Sequence, residues 1–175
     1  MSAETEFRFD GGATWLNLLA TRGQTFGTRP VERLTSPESG ARWLTLVGLA
    51  PDGAFTTADL KRLVTLRDFL LEVAMAAVAG RDPSPEARAH IDSTAAATTF
   101  ASEVQREGVA VQTALGLIAV QALVTLRGPD RELLKECAET DCRLVFLDTS
   151  GRRHWCPSPS CASRGRVRAH RARQG

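Results

Sequence analysis

All four cysteines of the chain lie near one end, as Cys137-x4-Cys142, thirteen intervening residues, and Cys156-x4-Cys161. Two equal pairs, each on a tight turn and separated by enough chain for a short hairpin, suit a tetrahedral divalent metal. Soft thiolate sulfur points to zinc. Four thiolates close the coordination sphere and leave no position for water or substrate, so a site of this kind is structural. Metal binding then supplies folding free energy, ~10–16 kcal/mol in small zinc peptides, to a segment that could not bury a core unaided. Disulfides would require an oxidising compartment, and Cys-x4-Cys is not the Cys-x-x-Cys of a redox motif. An iron–sulfur cluster also takes four thiolates and stays open on sequence alone. His154, two residues before Cys156, is either a substitute ligand or an exposed strand residue.

The formal net charge of +2 hides an asymmetry beside the cysteines. Residues 151–175 hold seven arginines and no Asp or Glu. Removing those seven from 22 basic residues leaves fifteen against 20 acids, so residues 1–150 carry −5 and the tail +7. Concentrated arginine neutralises phosphates and releases their counterions, which suggests a polyanion-binding appendage on an acidic body. No apolar run of about 18 residues exists to span a membrane. The first ten residues carry acids and an arginine without an apolar stretch, so no secretory signal is expected and a bacterial-type cytoplasm is the expected compartment.

Along the chain, residues 15–19 form an apolar run around Asn17 that is either a strand or a short helix. Gly11-Gly12 precedes it without the Lys-Ser/Thr of a phosphate loop. Ser36 followed by Pro37 predicts a capped helix ending at Gly48. Thr56 with Asp59 approximates a capping box for a long helix over about 57–79, stopped by Gly80. Pro85 opens a further helix towards residue 99. Val104, Val109 and Val111 alternate around Arg106-Glu107-Gly108 and predict a hairpin over 100–114. Residues 116–126 read as an apolar helix, broken by Gly128-Pro129, and Asp130 begins helical turns reaching Cys137. After Cys142, residues 143–147 predict a strand returning through 152–155, and a last helix runs over about 161–173. The expected fold is α+β. A mainly helical N-terminal domain with a short β-hairpin spans 1–130, and a small C-terminal finger spans 131–175.

Catalytic groupings are missing from this reading. There are three histidines, and no Gly-x-Ser-x-Gly elbow, His-Glu-x-x-His helix or phosphate-cradling loop. No enzyme is expected.

Several residues carry a resemblance. Cys137-Ala138, Asp141-Cys142, Phe146-Leu147-Asp148-Thr149-Ser150, Arg153, Trp155-Cys156, Cys161, Arg164 and residues 168–173 are similar to the CGNR-type zinc finger family. Its members join an N-terminal ABATE domain of stress-induced transcription regulators to a treble-clef-like or zinc-ribbon-like finger. Leu16-Asn17 and residues 32–38 resemble that N-terminal domain more weakly. The resemblance implies a zinc-binding transcription regulator that contacts DNA through the finger, with Cys137, Cys142, Cys156 and Cys161 holding one structural zinc ion. The chain departs from the family's Cys-Gly-Asn-Arg at Cys161-Ala162-Ser163-Arg164, where a left-handed turn would strain Ala162 and Ser163 could cap the last helix as an Asn would.

The expected DNA contacts are Arg164, Arg166, Arg168, Arg171 and Arg173 on the last helix and Arg152 and Arg153 on the hairpin. Five arginines over ten residues of helix face several directions, which favours the phosphate backbone over base reading. Such a protein would sit on the nucleoid. The alternative is a zinc-stabilised adaptor that docks RNA or an acidic protein. A homodimer and a small-molecule effector of the N-terminal domain are both compatible with this reading.

Overall fold

The computed structural model describes residues 7–98, 108–171 and 173–174. Helix α1 (Thr14–Leu19) leads into an antiparallel pair, β1 (Arg22–Gly23) and β2 (Val31–Glu32). Helices α2 (Pro37–Leu46), α3 (Thr57–Val78), α4 (Pro85–Ala96) and α5 (Val111–Arg127) follow. A 3-10 turn (Pro129–Leu133) passes the chain to a second antiparallel pair, β3 (Leu134–Glu136) and β4 (Val145–Leu147), and α6 (Pro159–Arg171) comes last. Helices dominate and strands come as short antiparallel pairs, which is the α+β class expected.

The helix starts follow from local chemistry. The Ser36 hydroxyl accepts the Ser39 amide while the Ser39 hydroxyl accepts the Ser36 amide, a reciprocal box that opens α2 just before Pro37. Thr56 and Asp59 do the same for α3. Ser84 accepts the Ala87 amide at α4, and its own amide donates to Glu72 of α3, so the start of α4 is tied to its neighbour. Each such cap stabilises by about 1 kcal/mol. Gly48 and Gly80 sit at positive φ just past α2 and α3, the conformation that stops a helix.

One apolar core serves the whole chain. Trp15, Leu16 and Leu18 of α1, Trp43 and Leu44 of α2, and Leu63, Leu66 and Leu70 of α3 are fully buried. Each buried Leu stabilises by about 1.5–3 kcal/mol relative to an exposed one. Ile91 of α4 and Ile118 of α5 join the same cluster, and so do Leu134 of β3, Val145 and Phe146 of β4 and all four cysteines. The C-terminal segment therefore has no core of its own. It packs as another layer on α1 and α3.

The seam between the two parts explains Gly11-Gly12. The buried Asn17 carboxamide oxygen accepts the Gly11 amide at 2.8 Å, and the Gly11 carbonyl accepts the Leu147 amide of β4 at 3.0 Å. Gly12 has φ +93°, and a Cβ there would lie 2.9 Å from the Leu147 Cβ. Only glycine permits both that backbone and that approach. A second clamp holds β2 to α3. Arg67, 3% exposed, donates twice to the Glu32 carboxylate at 2.7 Å and once to the Thr21 hydroxyl at 3.1 Å.

Four local expectations are corrected. Val111 opens α5 rather than a strand, and Val109 makes an isolated parallel bridge to Pro51; Val104, Arg106 and Glu107 lie outside the described residues. The short hairpin of the N-terminal part is β1–β2 instead. Two valines two apart fit either period, and the apolar face of α5 decides for the helix. The turns after Asp130 stop at Leu133, and β3 takes residues 134–136. The partner of β4 is β3, in register Leu134↔Leu147 and Glu136↔Val145, whereas residues 152–155 reach the finger through a single backbone bond, from the Ala138 amide to the His154 carbonyl. Helix α6 begins at Pro159, before Cys161.

Removing one partner of a buried ion pair leaves the other poorly solvated. Glu32→Ala, which strands the 3%-exposed Arg67, should lower unfolding stability by about 3 kcal/mol in urea, and a loss under about 1 kcal/mol would show that the clamp contributes little. Burial alone would raise the Glu32 carboxyl, but the hydrogen bonds from Arg67 and from the Leu34 and Arg33 amides outweigh it and hold it below the ordinary value. Its contribution is complete above about pH 4.3 and fades as pH falls through the lower folded value. The urea midpoint should drop below that pH less steeply in Glu32→Gln.

Candidate metal centre and the basic surface around it

Two loops bring the cysteines together. Cys137 follows β3, and its amide donates to the Leu144 carbonyl at 2.9 Å. The Glu139 carbonyl accepts both the Cys142 amide at 2.9 Å and the Arg143 amide at 3.0 Å, which folds the loop back on itself. Arg143 completes the turn at φ +47° without glycine. Its side chain bonds Glu136 and lies over the Phe26 ring at 4.6 Å, contacts that hold the unusual backbone in place. The second pair comes from the approach to α6, with Cys156 ahead of it and Cys161 in its first turn.

The four sulfurs lie within 4.8 Å of one another, and each cysteine is buried. Cys142 and Cys156 sulfurs are 3.9 Å apart, and those of Cys156 and Cys161 3.6 Å. A tetrahedron with zinc–sulfur bonds of ~2.3 Å has edges of ~3.8 Å. The spacing therefore fits one metal ion, and it is far above the ~2.05 Å of a disulfide. A cluster of several irons distributes its thiolates among separate metal atoms and requires a wider cage. His154 is exposed and is not a member of the group.

Cations surround the sulfurs. Arg8 Nη2 lies 3.6 Å from the Cys156 sulfur and Arg164 Nη2 3.9 Å from that of Cys161. Hydrogen bonds from the Cys137 and Cys142 thiols, helped by the Arg8 charge, bring the Cys156 thiol down to about 7 against its burial. Cys161 is lowered as well, first by bonds from Cys137, Cys142 and Cys156 and further by Arg164. Both shifts favour the thiolate, the form that binds metal, whereas Cys137 is pushed up, against its bond with Cys142, by bonds with Cys156 and Cys161, and Cys142 is pushed up by bonds with the other three cysteines and by burial. A divalent ion held by these four cysteines would join the two loops and supply folding free energy.

Two buried carboxylates then position the surface. Glu139, between the first pair of cysteines, is 1% exposed and lies 2.9 Å from Arg168 Nη2 and 4.0 Å from Arg164 Nε. Arg168 also bonds Thr140 and Asp141, so one side chain of α6 grips the whole first loop. Gly165 makes room for this approach: a Cβ there would fall 2.3 Å from the Trp155 indole nitrogen. Asp148 accepts the Ser150 hydroxyl at 2.6 Å, the Ser150 amide at 3.0 Å and the Arg153 amide at 2.8 Å, and Lys135 lies 3.3 Å away. The Ser150 bond leads in holding the Asp148 carboxyl well below the usual range, against its burial, with the Arg153 amide and Lys135 adding to it. The result is an ordered loop that presents Arg152 and Arg153.

The seven arginines expected to meet a polyanion thus divide. Arg164 and Arg168 face inward to Cys161, Glu139 and Asp141, because the carboxylates lie beneath them. Arg152, Arg153, Arg166, Arg171 and Arg173 are exposed. Ala162 and Ser163 lie inside α6, and neither is at positive φ. The feared strain is absent, and Ser163 is not the cap, since the helix starts four residues earlier. Sequence reasoning missed Arg8, Glu139 and Asp148. A Cys-x-Glu-x2-Cys loop facing Arg three and seven residues past the last cysteine was the available signal.

Two family models match the chain. ABATE, described as a putative stress-induced transcription regulator, covers residues 12–129. The CGNR zinc finger covers residues 134–174. No curated protein matches the chain at a significant level.

Purified under reducing conditions, the full chain should carry about one zinc by atomic emission, and Cys156→Ser should lose the metal together with helical circular dichroism. Arg168→Ala should keep the metal yet cost about 3 kcal/mol of stability by stranding Glu139, which is 1% exposed. An Arg168→Ala protein as stable as the parent would show that the latch is idle.

Proposed function

The chain belongs to the ABATE family of putative stress-induced transcription regulators and ends in a CGNR zinc finger; from that premise we propose that it is a regulator that grips DNA through residues 131–175. Cys137, Cys142, Cys156 and Cys161 ligate one structural zinc ion. Arg152, Arg153, Arg166, Arg171 and Arg173 meet backbone phosphates, and Arg164 and Arg168 hold the helix that carries two of them, Arg166 and Arg171. Neither matched family is an enzyme family. No helix among the described residues is long and apolar enough to cross a membrane.

The observation that carries this reading is the division of labour among the arginines. Buried Glu139 and Asp148 hold the scaffold, and the exposed arginines belong to a tail without a single acidic residue. A rigid array of cations loses little side-chain and backbone entropy on meeting a polyanion. Binding through about five phosphates sets sequence-independent affinity and makes it strongly salt-dependent. The open groove beside Arg152, Arg153 and Lys135 is also wide enough for an acidic protein segment, which keeps the adaptor as the competing reading.

The test uses the full chain, because the finger shares its core with the helices. Fluorescence anisotropy on duplex DNA should give a log–log salt slope of roughly −4 to −5. Reversing charge at Arg166 and Arg171 to Glu should flatten the slope by about two while the zinc content stays unchanged. A slope near zero, with capture of RNA or of an acidic protein instead, would establish the adaptor.

A further inference from the structure

A cavity of about 470 Å³ opens where the N-terminal part meets the finger. Arg8, Arg22 and Arg33 line it from one side, and Ser158, Ser160 and Arg164 from the other. Cys142 and Cys161 form part of its floor. Asp10 is the sole carboxylate among the lining residues, against four guanidinium groups. Four thiolates around a divalent ion retain two negative charges, and Asp10, paired with Arg8 at 2.9 Å, adds a third, so the four guanidinium groups leave the cavity with one positive charge in excess. Arg22 and Arg33 stand at the rim, Arg33 with Nη1 3.5 Å from the Ala20 carbonyl, and the N-terminus of the thirteen-residue α6 adds its positive dipole end.

The Arg33 side is built by the fold. The edge of its guanidinium lies against Gly23, where a Cβ would fall 2.9 Å from Nη1, 3.3 Å from Nη2 and 3.5 Å from Cζ. The β1–β2 register sets Gly23 opposite Val31 and so keeps the bare backbone beneath it. Arginines are otherwise outnumbered in the acidic body, yet three of its arginines converge here. None of them is used by the DNA reading.

We infer that this cavity binds a small phosphate-bearing molecule, which bridges the N-terminal part and the start of α6. Guanidinium forks match phosphate oxygens in pairs, the dipole of α6 favours an anion, and the hydrogen-bonded pair of Ser158 and Ser160 hydroxyls keeps one proton to donate. A cation would find one carboxylate. The volume is that of a small-molecule site rather than of a polymer groove. Because the ligand touches both sides of the seam, it fixes α6 relative to the body. If the proposed DNA grip is right, DNA and ligand then change each other's affinity by the same factor.

Isothermal titration of pyrophosphate into the zinc-loaded full chain tests the site directly. One saturable site per chain is expected, weakened at least ~10-fold by Arg22→Ala with Arg33→Ala. Gly23→Val, which keeps every charge but displaces Arg33, should weaken it comparably, with metal content and circular dichroism unchanged in both variants. Absence of saturation up to ~10 mM, or parental affinity in both variants, overturns the inference. Loss of duplex affinity in the double variant without saturable pyrophosphate binding would also overturn it, by assigning the cavity to a DNA phosphate. Failure of DNA binding alone, with pyrophosphate still bound, sinks the DNA reading and leaves this site standing.

Discussion

Sulfur packed against sulfur is the constraint from which the C-terminal part is built. Four buried cysteines within 4.8 Å of one another place their lone pairs face to face, and nothing apolar separates them. A divalent cation at the centre turns that repulsion into bonding. Once it does, the loop around Glu139 and the start of α6 move as one body. Everything cationic on the surface takes its position from there.

The finger is also inseparable from the helices beneath it. Phe146 and Val145 finish a core that begins at Trp15, and the Asn17–Gly11–Leu147 chain of hydrogen bonds fastens β4 to the N-terminal loop. A segment this short buries too little surface to fold alone. Metal and shared core therefore act on the same residues from opposite sides.

Arginine has two roles here, and the nearness of a carboxylate separates them. Arg67, Arg164 and Arg168 lie against carboxylates: Arg67 hydrogen-bonds Glu32 and Arg168 hydrogen-bonds Asp141, while Arg164 and Arg168 meet buried Glu139 as ion pairs. Arg152, Arg153, Arg166, Arg171 and Arg173 keep their charge in water. A count of arginines in the tail cannot distinguish these groups, since Glu139 and Asp141 lie outside the tail and meet it only through the folded loop.

The amino-acid sequence by itself determined that four thiolates form a metal site, because cysteine spacing and thiolate softness are local properties; the sulfur spacing of the folded chain fitted that site to one ion. It determined the starts of α2 and α3 for the same reason: Ser36-Pro37 and Thr56-x2-Asp59 act within a single turn. Tertiary structure alone decided which strand pairs with β4, where the short N-terminal hairpin sits, and which arginines face inward. Runs of two or three residues satisfy either period, and Leu134 becomes a strand because Leu147 is opposite it. Contacts between residues far apart in the chain, such as Arg8 with Cys156 or Gly12 with Leu147, leave no periodic trace. Their energy exists only once the core has brought the two segments together.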